Sequence, residues 1–383
     1  MHLFNVYSLF DITPVRAKGS YLWDDKGDQY LDLYGGHAVI SIGHTHPHYV
    51  EAITNQLQKI GFYSNSVQNP LQQKLAEKLG TLSGYPDYAL FLCNSGAEAN
   101  ENALKIASFA TGRKKIIAFD KSFHGRTSGA VAATDNPKIV SPFNAVHEVQ
   151  FVPLNDMEAF EKAMDKTVAA VIIEGIQGVG GIRIPGDDFL QLVRAKCDAA
   201  GALLILDEVQ SGYGRTGKFF AHQYAGIKPD LITMAKGMGN GFPIGGVLIN
   251  PEIQPWPGEL GTTFGGNYLA CAAAVAVLEV IEKEKLLENT LKVGNYLMDK
   301  SKEFPLLQNI RGKGLMIGFD VPDELKDLRK NLLFQHKIFT GAAGTNTIRL
   351  LPSLALTIRQ ADEFLEAMDE ELAIKAQSTK HKA

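Results

Sequence analysis

Short apolar runs rich in β-branched and aliphatic residues recur at 115–119, 168–173, 202–206, 231–234 and 245–249, and stretches with helical spacing separate them. That alternation predicts an α/β fold in which a mostly parallel sheet is flanked by helices. Helices are predicted over 70–82, 98–110 and 187–200, the last opening on Asp187-Asp188 and stopping at Gly201, as capping preferences require. The longest apolar run, 268–278, ends at Glu279 and is too short to span a bilayer, so it predicts a buried helix. Beyond it come long amphipathic helices, a strand-like segment at 311–319 and a last helix near 361–374, which together read as a smaller α+β domain. The expected division is an N-terminal segment (1–45) joining the small domain to the active site, a large domain (46–282) and a C-terminal small domain (283–383). The polar, lysine-bearing tail at 376–383 is expected to fray.

Composition narrows the class without naming a chemistry. A chain of 383 residues exceeds one compact core, and 45% hydrophobic with 21% charged residues is ordinary globular usage. The net charge of -4, with Lys and Arg dispersed, gives no electrostatic reason to expect nucleic acid or an anionic membrane as partner. Cys93, Cys197 and Cys271 form neither a CxxC pair nor a metal-ligand spacing, and so odd and sparse a set suits a reducing compartment, the cytoplasm. The first residues carry no basic stretch or small-residue cleavage site, so a signal peptide is not expected.

Chemistry concentrates where apolar runs stop. The run ending at Leu206 leads straight into Asp207 and Glu208, and in an open α/β sheet the carboxyl ends of strands face the ligand crevice. The run ending at Met234 is followed by Ala235-Lys236-Gly237-Met-Gly239, so Lys236 emerges from an apolar strand among glycines. In such a setting a lysine amine is desolvated and nucleophilic. Asn94-Ser95-Gly96-Ala97-Glu98-Ala99-Asn100 is a small-residue turn opening a helix, where free N–H groups and the helix dipole can cradle a phosphate, though an ordinary Ser cap fits it equally. Phe123-His124-Gly125-Arg126 sets an aromatic face near an arginine that could fork onto a carboxylate.

Two rival motifs fail in context. Gly212-Tyr-Gly214-Arg-Thr-Gly217-Lys218 fits both GxGxxG and GxxxxGK, yet Phe219 stands where a P-loop needs Ser or Thr, and about twenty residues on, where the dinucleotide fingerprint needs an acid, the sequence is Lys236-Gly-Met. His44-Thr-His46-Pro-His48 reads as a turn with surface histidines, and no metal is expected.

In combination, order and spacing these segments resemble the class III, fold-type I aminotransferases, and within them the acetylornithine branch. The resemblance spans nearly the whole chain, from Gly43-His44-Thr-His46-Pro47 through the segments at 94–100, 123–126 and 207–210 to Ala235-Lys236-Gly237, Thr262-Thr263-Phe-Gly-Gly-Asn267 and Ile348-Arg349-Leu-Leu-Pro352. It implies pyridoxal 5'-phosphate held by the large domain as a Schiff base on Lys236, with Asp207 keeping the ring nitrogen protonated so that the ring accepts electrons. Phe123 and Val209 would flank the ring, Gln210 would bond its phenolic oxygen, and Ser95, Gly96 and Ala97 would hold the phosphate. Glu174 would line the cofactor site and Thr262 the substrate site. Thr263 would reach the phosphate of a neighbouring subunit, which implies a homodimer with shared active sites. Arg126 would bind the α-carboxylate of an ornithine-type donor, Arg349 that of 2-oxoglutarate or glutamate, and Tyr7 would lie beside the substrate. The implied activity is transfer of the distal amine of an N-acylornithine to 2-oxoglutarate, giving glutamate, in arginine biosynthesis. The alternatives are an ornithine or 4-aminobutyrate aminotransferase, an aminomutase of the same fold, or a non-catalytic phosphate- or nucleotide-binding protein.

The chain departs from that pattern in one telling place. Glu174-Gly175-Ile-Gln-Gly178-Val179-Gly-Gly181 carries Val179 where the family usually has a glutamate that pairs with the arginine matching Arg349. A guanidinium left in a partly buried pocket without that carboxylate is costly unless another anion binds, which favours a succinyl over an acetyl group on the donor. His37, Leu260 and Tyr268 are further departures in the expected acyl-binding region.

Overall fold

A computed structural model describes residues 1–380. Seven strands form one sheet: β1 (Ala89–Cys93), β2 (Lys115–Phe119), β3 (Val149–Val152), β4 (Val168–Glu174), β5 (Leu203–Asp207), β6 (Leu231–Met234) and β7 (Gly245–Ile249). Their order is β1-β7-β6-β5-β4-β2-β3, with β7 antiparallel to both neighbours and every other pair of neighbours parallel. All seven residues of β4 are buried, as expected of a strand covered by helices on both faces. The two strands beyond those expected, β1 and β3, lie at the sheet edges. Both are short and partly exposed; Gln150 interrupts β3, while β1 is an apolar run, Ala-Leu-Phe-Leu-Cys, that the sequence reading passed over.

The helices follow their end signals. α1 spans Pro70–Ser83 and α2 spans Gly96–Thr111. In α2 the Ser95 Oγ accepts from Glu98 N at 3.2 Å, the Glu98 carboxylate accepts from Asn94 N at 3.0 Å, and Gly112 closes the far end in the left-handed region. α3 (Asp187–Ala200) keeps its acidic first turn and stops at left-handed Gly201, but Gly186 occupies the cap position. The apolar run at 268 is the start of α4 (Tyr268–Lys283), buried over most of its length against α1 and the helix Pro47–Leu57.

The C-terminal part forms a second sheet: β8 (Gln308–Lys313), β9 (Met316–Asp320), β10 (Gly341–Ala343) and β11 (Thr347–Leu350), in the order β8-β9-β11-β10. The expected single strand at 311–319 is therefore a hairpin, turned at Gly314 with φ +56° because the chain there presses on the backbone of Arg215 and Thr216. α5 (Leu286–Ser301) and α6 (Ile358–Lys380) cover this sheet. α6 continues through most of the tail expected to fray, and residues 381–383 lie outside the described residues. N-terminal strands Pro14–Lys18, Tyr21–Asp24 and Gln29–Asp32 form a third sheet, and Ile338–Phe339 joins it in parallel to Gln29–Asp32. Among the described residues no helix is long and apolar enough to cross a membrane.

Candidate active site

The carboxyl ends of adjacent strands bring three charged side chains to one place. Glu174 closes β4 and Asp207 closes β5, and the two stand opposite each other in register. Lys236 lies two residues past the end of β6, with a left-handed φ of +49° that few non-glycine residues adopt without support from their surroundings. A cavity of about 280 Å³ opens here, lined among others by Gly96, Phe123, Arg126, Val209, Gln210 and Lys236.

Asp207 is buried and fully engaged. Its Oδ2 accepts from His124 Nδ1 at 2.7 Å and from Asn100 Nδ2 at 2.8 Å, and its Oδ1 accepts from Val209 N at 3.0 Å. A carboxylate can only accept, so the His124 proton on this side sits on Nδ1. Asn100 is itself fixed, donating to His124 O at 2.7 Å and accepting from Thr233 Oγ1 at 2.6 Å.

Glu174 accepts from Phe123 N at 3.0 Å and Gly178 N at 3.1 Å. Burial pushes its carboxyl well above the usual range and Asp207 adds to this, while His124 and the two N–H donors oppose it. Burial draws the Lys236 amine below the ordinary lysine value, and Arg349 acts the same way against the pull of Asp207 and Glu174. The site thus favours a neutral amine beside buried carboxyl groups.

Other expected residues divide. Gly96 and Ala97 line the cavity, and as the first residues of α2 their N–H groups have no intrahelical acceptors. Ser95 is not part of the lining, and its Oγ caps the helix. Phe123 and Val209 are in the wall, and Val209 packs so tightly that a Cβ on Gly96 would lie 2.7 Å from its Cγ1. Gln210 Nε2 donates to His37 O at 3.2 Å. Arg126 is exposed at the cavity. Arg349 is buried just outside the lining, with Nη1 donating to Gly178 O at 2.8 Å. Burial lowers its pKa, Arg329 adding to the effect and Tyr34 opposing it. Tyr7 is 77% exposed and does not reach the cavity of its own chain, because residues 1–10 form no regular element. Thr262 Oγ1 accepts from Gly265 N at 3.0 Å away from the cavity, and Thr263 is exposed.

Sequence reasoning assigned no role to His124, Asn100 or Thr233. Their signal was present: Asn100 lies four residues after Gly96 on the same helix face, and Thr233 interrupts an otherwise apolar strand.

The glycine loop after β5 is packed against α5. Residues 212–217 are buried, and a Cβ on Gly214 or Gly217 would lie 2.9 Å or 2.3 Å from Leu287 or Leu291 of α5. Arg215 there donates to Leu315 O and Pro352 O, and burial pushes its guanidinium down to about 10. The histidines at 44–48 are less superficial than expected. His44 binds Asp32 at 2.9 Å, His46 binds Glu284 at 2.8 Å and His48 binds Glu279 at 2.7 Å, tying this segment to its own N-terminal sheet and to the C-terminal end of α4.

The sequence model described as Aminotransferase class-III matches residues 5–372. The chain belongs to the class III aminotransferases. It is 43% identical over 370 residues to the acetylornithine aminotransferase of Archaeoglobus fulgidus, covering 96% of this chain and 97% of that one. It is 42% identical over 375 residues to the acetylornithine aminotransferase of Bacillus subtilis, covering 96% of each. Among solved structures, the ornithine aminotransferase of Toxoplasma gondii, described with partial occupancy of PLP at its active site, superposes with a TM-score of 0.92. The two are 27% identical, and the match covers 99% of this chain and 94% of that one. The ornithine delta-aminotransferase of Plasmodium falciparum superposes with a TM-score of 0.84 at 29% identity, covering 97% and 95%. As a class III member the enzyme is a transaminase dependent on pyridoxal phosphate. The residues present fit that group, because the cavity joins free helix N–H groups, a strand-end carboxylate and a desolvated lysine. The buried Gln210 Oε1 and His124 Nε2 also lack protein partners there.

Proposed function

We propose that the enzyme moves the distal amine of N-acetylornithine to 2-oxoglutarate, releasing N-acetylglutamate semialdehyde and glutamate. The observation that carries this reading is the lysine amine of lowered pKa beside buried Asp207 and Glu174, at a cavity bearing an exposed arginine and neighboured by a buried one. Identity of about 40% to curated acetylornithine aminotransferases over almost the whole chain supports the donor. When bound, pyridoxal phosphate supplies a reactive carbonyl and a ring that accepts electrons.

The chain's residues divide the remaining work. Asp207, fixed in place by three donors, would face the ring nitrogen and favour its protonated form. Gly96 and Ala97 offer N–H groups to the phosphate, with Ser95 ordering the turn and Thr263 reaching in from a second copy of the chain. Phe123 and Val209 would flank the ring and Gln210 would bond its phenolic oxygen, with Glu174 in the same cavity wall. Lys236, its amine drawn below the ordinary lysine value by burial, would hold the cofactor and would carry the proton at the reacting carbon. Arg126 binds the donor's α-carboxylate and Arg349 that of the keto acid, with Thr262 and Tyr7 contributing from a homodimer of cytoplasmic location. The large domain at 46–282 carries the cofactor, and the parts at 1–45 and 283–383 close over it.

One observation favours N-succinylornithine as a second reading of the donor. Arg349 is buried, its Nε has no partner, its Nη1 bonds a backbone carbonyl, and Val179 stands where a carboxylate could have met it. The deciding experiment measures kcat/KM for acetyl-, succinyl- and free ornithine with 2-oxoglutarate. The acetyl compound leading supports the proposal, succinyl leading moves the donor to the second reading, and free ornithine leading sinks both.

A further inference from the structure

A turn of the large domain lies in the grip of the small-domain sheet. Gln177 and Arg183 exchange backbone hydrogen bonds of 2.9 and 3.1 Å, closing a hairpin whose tip is Gly178-Val179-Gly180-Gly181. Arg311, Gly318 and Arg349 stand in one register row across β8, β9 and β11. Arg349 Nη1 donates to Gly178 O and Arg311 Nε to Gly181 O, each at 2.8 Å, so two guanidinium groups hold the two ends of the tip. Between them Gly318 leaves room for buried Ile182, since a Cβ there would lie 2.8 Å from Ile182 Cγ1.

The turn has little freedom to move. A Cβ on Gly178 would overlap the Gln210 side chain, and one on Gly180 would lie 2.7 Å from Lys121 O. Arg311 is itself fixed by Asp320 Oδ1 at 3.0 Å and Asn309 O at 2.6 Å, with Thr347 Oγ1 donating to the same Asp320 oxygen at 2.6 Å. Val179, at the middle of the tip, lines both the cofactor-sized cavity and a polar cleft of about 800 Å³ shared with β8, β9 and the loop between β10 and β11.

We propose that Arg311 is a positioning residue for the keto acid. It acts through the turn at 178–181, which fixes where the Arg349 guanidinium points and where Val179 closes the wall. The proposal rests on Arg349 as the keto acid's carboxylate partner. Loss of one charge-assisted hydrogen bond at Gly181 lets the turn drift, and Arg349, bonded to its other end, drifts with it. Arg126, on a separate segment, is unaffected.

The test uses the holoenzyme variants Arg311→Ala, Arg311→Lys and Gly318→Ala, with the two half-reactions followed separately. In Arg311→Ala the KM for 2-oxoglutarate is expected to rise about tenfold while the donor KM moves by less than about twofold, with partial recovery in Arg311→Lys. Amide hydrogen exchange over 178–182 is expected to quicken in Arg311→Ala and Gly318→Ala. Unchanged exchange overturns the grip even if no donor tried is turned over, which separates this failure from failure of the proposed activity. Faster exchange with an unchanged keto-acid KM, or an equal rise for both substrates, overturns the positioning role. Should Arg311→Ala not fold, the other two variants carry the same readings.

Discussion

Lys236 combines a left-handed backbone, a glycine setting and a desolvated amine, and each property answers to a different substitution. On the proposed roles Lys236→Ala removes both the attachment point and the proton carrier, so turnover is expected to fall by about 10³-fold or more, measured as single-turnover loss of donor. Asp207→Asn keeps the shape but weakens the charge that His124 and Asn100 hold in place, and a loss in kcat of about 10² to 10³ is expected. Glu174 gives a pH prediction. Because its folded pKa is raised above the ordinary 4.5, its contribution to stability is complete below that value and is lost as pH rises through the raised pKa. Glu174→Gln stays neutral, so the thermal midpoint of the cofactor-free variant relative to wild type should improve between pH 5 and pH 8. A difference that stays constant with pH would refute that assignment.

Elements explain which residues could be read in advance. Asp207 and Lys236 were legible because each ends an apolar run, where a change from buried strand to charge has few structural reasons. Their supports were not, since Asn100 and His124 reach Asp207 only after a helix and a loop fold back over the sheet. Ser95 was legible as a turn residue, but a hydroxyl that caps a helix and one that meets phosphate have the same sequence signature. The loop at 212–217 shows the converse: glycines spaced as for a nucleotide serve the close approach of α5 instead. Gly217→Ala is therefore expected to lower stability by about 1 to 3 kcal/mol through overpacking on Leu291 and a φ of +92°, with kcat per folded enzyme unchanged. Chemical denaturation with activity titration checks both halves.

At the scale of the whole molecule, apolar surface gathers where the chain has no partner of its own. Phe62 and Phe264, 43% and 59% exposed, pack with tilted rings 5.3 Å apart beside exposed Tyr63, and Thr263 adjoins them. If that face joins two copies, Phe264→Glu should sediment as a monomer and release its cofactor on gel filtration, while an unchanged dimer would place the interface elsewhere. The order of the main sheet has a consequence for how the enzyme is made. β1 leaves the ribosome early, but its only neighbour in the sheet is β7, which also covers the open side of β6. Until Gly245–Ile249 emerges, β1 has no partner strand in the sheet and the side of β6 that β7 will cover stays open. Synthesis therefore passes through a long interval in which a chaperone, or an unwanted strand, can bind before the catalytic crevice exists.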